Sequence, residues 1–79
     1  MREINEIYLN KLRNKYPEGT KVRLINMDDI QAPPKGTIGE VIYIDDLGTI
    51  HVNWENGSSL GLVPREDDWE IVKEDVINS

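Results

Sequence analysis

The run from Pro33 to Pro64, PPKGTIGEVIYIDDLGTIHVNWENGSSLGLVP, constrains this chain more than any other part of it. It reads as three short strands joined by two tight turns. Asp45-Asp46-Leu47-Gly48 supplies the first turn and Asn56-Gly57, the strongest short-range hairpin signal, the second. Between them Thr49 to Trp54 alternates cleanly, with Ile50, Val52 and Trp54 on one side and Thr49, His51 and Asn53 on the other. Thr37 to Ile44 has apolar residues on both sides, Ile38, Ile42 and Ile44 against Val41 and Tyr43. That pattern predicts one side lining a core and the other partly covered. Gly39 inside this strand predicts a bulge or sharp bend. Ser59 to Val63 returns as the third strand, with Leu60 and Leu62 facing the core.

The flanks complete the architecture. Residues 2–15 read as an amphipathic helix with Ile4, Ile7, Tyr8 and Leu12 on one stripe and Leu9 beside it. Lys11, Arg13 and Lys15 crowd its last turn, where positive charge suits the helix dipole. Tyr16-Pro17 stops it, because a residue before proline is pushed out of the α region. Lys21 to Met27 is a strand with Val22 and Leu24 on one face. Asp28 to Gly36 is a loop stiffened by Pro33 and Pro34, which remove two backbone donors and cannot sit inside a sheet. Residues 65–68 form a short charged connection before a last strand, Trp69 to Lys73. The sum is a mostly β fold: a small five-stranded SH3-like barrel with an N-terminal amphipathic α-helix. An OB-fold would place its helix between the third and fourth strands. The expected divisions are a helix at 1–16, a barrel at 17–74 and a C-terminal tail at 75–79. Ile7, Tyr8 and Leu12 are expected to pack on the barrel or on a second copy in a homodimer.

Seventy-nine residues suit one domain, and so short a chain buries only roughly 60–65% of its unfolded surface. With no cysteine, neither a disulfide nor a thiolate–zinc site can brace it. No apolar run approaches the roughly 20 residues of a membrane helix. MREINEIYLN carries Glu3 and Glu6 and lacks the apolar core of a signal peptide. A cytoplasmic protein is the expectation. The net charge is −6 but divided: residues 1–23 carry +3 and the remainder −9.

Several motifs taken together resemble one known family. They are Tyr16-Pro17-Glu18-Gly19-Thr20, Met27-Asp28-Asp29, Ala32-Pro33-Pro34-Lys35-Gly36-Thr37, Asp45-Asp46 and Trp54-Glu55-Asn56-Gly57-Ser58-Ser59-Leu60. In this combination the stretch from Tyr16 to Pro64 is similar to the bacterial domain of unknown function 4314. Glu55 and Arg65 depart from that pattern, where Asp and Gly are expected. The resemblance implies a small β fold in a Gram-positive bacterium, often near mobile elements. It implies no activity and no site residues.

Nothing in the residues suggests catalysis. His51 is the only histidine, sits on the polar side of its strand, and reads as a plain surface residue. Asp28-Asp29, Asp45-Asp46 and Asp67-Asp68 lack EF-hand spacing, and adjacent side chains point apart, so loop capping explains them better than a metal site. The glycines form neither a dinucleotide fingerprint nor a P-loop. No cofactor is expected. The contact surface expected from sequence is the first loop with the first hairpin turn, namely Asp28, Asp29, Pro33, Pro34, Asp45 and Asp46. Being acidic and stiff, it would suit a basic protein partner. The alternative is a nucleic-acid accessory role through Lys11, Arg13, Lys15, Lys21 and Arg23, which needs clustered cations to neutralise phosphates. A further alternative is an acidic nucleic-acid mimic that inhibits a DNA-binding protein.

Overall fold

The computed structural model describes residues 5–73. Ile4, Glu74 and the expected tail at 75–79 therefore lie outside the described residues. Helix α1 spans Glu6–Lys15, and four strands follow: β1 (Lys21–Asn26), β2 (Ile38–Ile44), β3 (Ile50–Trp54) and β4 (Asp68–Ile71). They form one antiparallel sheet in the order β3-β2-β1-β4. The expected fifth strand is absent as a strand, and the sheet is not a closed barrel. Ser59 to Val63 contributes a single bridge, in which Ile50 and Leu62 exchange N–H···O bonds of 2.9 and 2.8 Å. The ladder stops there for a local reason. The Leu60 carbonyl accepts from the Trp54 indole N–H at 2.9 Å instead of from a neighbouring strand.

Asn5 caps α1, its Oδ1 accepting from Ile7 N at 2.7 Å and Tyr8 N at 3.2 Å. The buried stripe is Leu9, Leu12 and Tyr16, the i, i+3, i+7 spacing of one helix face. This corrects the stripe read from sequence: Ile7 is 67% and Tyr8 42% exposed. At about 100° per residue, Ile7 points almost directly away from the Leu9–Tyr16 side, and Tyr8 sits at its rim. Arg13 sets that roll by donating from Nη2 to the Ile44 carbonyl at 2.8 Å. Tyr16 also meets Trp69 edge-on, with ring centroids 5.7 Å apart.

Val22, Leu24, Val41, Ile44, Ile50, Val52, Trp54 and Leu62 fill the core beneath the helix. The expected alternation of β3 holds, with Ile50, Val52 and Trp54 all inward. The reading of β2 as apolar on two covered sides does not. A register shift between Val41 and Tyr43 makes Ile42 an extra residue, so Val41 and Ile44 both face the core while Ile42 and Tyr43 turn out. Gly39 is therefore not the bulge. It is buried against Trp54: a Cβ there would strike the Val52 side chain and lie 2.6 Å from Trp54 Cε3. A second shift, between Leu24 and Asn26, exposes Ile25 in the same way.

Arg65 is accommodated without strain. It is exposed, no non-glycine residue among those described has a positive φ, and the turn is closed by buried Asp67, whose Oδ2 accepts from Val63 N at 2.8 Å.

Candidate functional site

The residues picked from sequence fall into two groups at opposite ends of β2. Leu24 N donates to Thr37 O, so the loop from Met27 to Thr37 leaves the sheet where β2 begins. Asp45 to Thr49 follows where β2 ends. Seven residues of strand separate them, about 20 Å at 3.3 Å per residue. The single acidic surface expected from the sequence is thus split.

The loop is hydrogen-bonded along its length. Asp29 N donates to Met27 O, Ala32 N to Asp29 O, and Gln31 N to Asp29 Oδ1 at 2.7 Å. Thr37 returns both its N–H and its hydroxyl to Pro34 O, and Gly36 N reaches Leu24 O at 2.7 Å. Pro33 is buried and anchors the loop, and Met27 packs against the core, while Pro34 stays exposed. Between these fixed points Ile30 stands 99% exposed beside Asp28 and Asp29. Ile30 lies inside the loop expected from sequence as a contact surface, between its Asp-Asp and Pro-Pro pairs, but no sequence pattern singles it out.

The hairpin turn is bound differently. Asp45 Oδ1 accepts from Leu47 N at 2.9 Å and Thr49 N at 3.0 Å, and Oδ2 lies 2.9 Å from His51 Nε2. Asp45 therefore belongs to the turn's own framework. Burial pushes its carboxyl pKa up, but the His51 bond and the two backbone donors outweigh this and hold it below the ordinary 3.8. A depressed carboxylate contributes stability above its unfolded value and loses it as pH falls through the folded one. Thermal midpoints of wild type and Asp45→Asn are expected to differ most above pH 3.8 and to converge in stronger acid. A gap that stays constant across that range would contradict this assignment.

His51 is not a plain surface residue. Its ring stacks on Tyr43, centroids 4.3 Å apart and planes 3° apart, and it is about one-third exposed. The Ile42 bulge aligns the pair by setting Tyr43 opposite His51. Nothing in the sequence signals that register shift except the unbroken apolar run through Ile44.

Among the basic residues, Arg13 pairs with Asp46 at 3.1 Å and Arg23 with Glu70 at 2.7 Å. Lys15 sits over the Tyr16 ring, 5.5 Å from its centroid. Lys11 and Lys21 are exposed. Three of the five cations named for nucleic acid thus have partners within the fold.

No helix among the described residues is long and apolar enough to cross a membrane, and none of their His, Asp and Glu side chains gather in threes as a metal site would need. A family model described as Domain of unknown function (DUF4314) matches residues 5–72. No curated protein and no solved structure matches the chain.

Proposed function

The chain belongs to the Domain of unknown function (DUF4314) family, and on that premise we propose that it is a non-catalytic module that binds a protein partner through the Met27–Thr37 loop. One observation carries the reading: a fully exposed isoleucine held on a loop whose backbone is already ordered. An exposed apolar side chain is common, but one on a braced loop loses little further entropy on binding. Ile30 would enter an apolar pocket, and Asp28 and Asp29 would favour basic residues around it. The finer fold reading follows the same line. The strand order, continued from β3 through the Ile50–Leu62 bridge, supports an SH3-like barrel left open at that edge, a scaffold whose loops present contacts.

The test is affinity capture from a Gram-positive host lysate with wild-type chain and with Ile30→Asp, Asp28→Lys and Asp29→Lys variants. A protein recovered by wild type should be lost with Ile30→Asp and reduced with the lysine variants. Equal recovery by all four chains, each folded by circular dichroism, would remove the loop from consideration.

A further inference from the structure

Tyr43 and His51 form a fixed aromatic shelf on the outer side of the sheet, at the far end of β2 from the Ile30 loop. Tyr43 is 54% exposed, yet it is not loose. Its ring lies flat on His51, His51 is tied to Asp45, and Asp45 is tied to the backbone of Leu47 and Thr49. The shelf exists because of the bulge at Ile42, which interrupts the ladder and turns Tyr43 outward. Bulges re-aim side chains in this way beside functional sites.

We infer that this shelf docks an arginine side chain of a protein partner. A guanidinium is planar, stacks on tyrosine, and is attracted by the negative face of the ring. The charges around the shelf favour that cation. Asp45 and Asp46 begin the turn one residue past Tyr43, after buried Ile44, and Glu40 lies on the outer side of the same strand. Of the opposing cations, Arg13 bonds Asp46 Oδ1 from the helix side, and exposed Lys21 stands across from Glu40 in the register rather than beside Tyr43. Asp46 keeps a carboxylate whose side chain is 94% exposed. A nucleobase would stack equally well, but its phosphates would meet these carboxylates. A second copy of the chain would bring the same acids face to face.

The experiment uses the full chain and two probes, capped Gly-Arg-Gly and capped Gly-Lys-Gly peptides, followed by NMR. The arginine peptide should shift the Tyr43 and His51 ring signals and nearby β2–β3 amides. Intermolecular NOEs should connect its δ-methylene to the Tyr43 ring. The lysine peptide should bind about two- to fivefold more weakly, because an ammonium cannot lie flat on the ring as a guanidinium does. Tyr43→Phe should keep the response and Tyr43→Ala should lose it. Should Tyr43→Ala fail to fold, the NOEs in wild type still decide. No shift at the rings, an unchanged response in folded Tyr43→Ala, or shifts confined to residues 28–37 would each overturn the assignment. The last outcome would leave the Ile30 loop standing, so the two surfaces can fail separately.

Discussion

Replacing Gly39 with alanine should destabilise the protein by about 3 kcal/mol, the upper end for an overpacked core. The added methyl would collide with Val52 and lie 2.6 Å from Trp54 Cε3, and both neighbours are fixed on β3. The Gly39↔Trp54 register pairs these residues directly, so the strands must part or the indole must move. A 79-residue chain has about 4–12 kcal/mol of stability in all. The loss should therefore appear as a large drop in the urea midpoint, with little change in slope. A drop below about 0.5 kcal/mol, the size of an ordinary surface substitution, would mean that Trp54 does not lie over Gly39.

Trp54→Ala should cost more, about 3–5 kcal/mol. Trp54 is 2% exposed, fills the space that Gly39 leaves, and donates its indole N–H to Leu60 O at 2.9 Å. Its removal opens a cavity and also orphans the carbonyl that holds the return segment. The indole N–H can be examined separately by comparing phenylalanine replacements at both tryptophans. The buried Trp69 N–H meets no acceptor among the described residues, so Trp69→Phe should be milder than Trp54→Phe in denaturant titration. A double-mutant cycle gives the sharpest reading of the pair. Once Trp54 is alanine, Gly39→Ala should lose the share of its penalty that the indole sets and keep that of the Val52 contact, whereas independent sites would add.

Much of this fold was legible in the residues. Clean alternation from Ile50 to Trp54 identified β3, because the two-residue period leaves one assignment that buries all three apolar side chains. Asn56-Gly57 marked its turn, and Gly57 has φ +92° as a hairpin glycine requires. Illegible features arose from contacts between segments distant in sequence. The roll of α1 depends on Arg13 reaching the Ile44 carbonyl 31 residues away. The loss of the fifth strand depends on an indole capturing a carbonyl. The Ile42 bulge settles a conflict between two apolar sets on β2, and the sequence does not say which set turns out.

The candidate site divides along the same line. Asp-Asp and Pro-Pro pairs were visible, but their chemistry differs with place. Asp45 is consumed by its own turn and by His51, Asp46 is shared with Arg13, and Pro33 is an anchor below the surface. At the first loop Asp28, Asp29 and Pro34 remain exposed, around an isoleucine that the acidic pattern obscured. Hydrophobic exposure at a single loop residue has no periodic signature. It becomes meaningful only once the loop's hydrogen bonds show the backbone to be ordered.

The most direct test of the proposed binding loop is calorimetric titration of the captured partner with wild-type chain and with Ile30→Ala. Fully burying an isoleucine side chain contributes about 1.5–3 kcal/mol, so the variant should bind about ten- to a hundredfold more weakly. Equal affinity of the two chains would contradict the account.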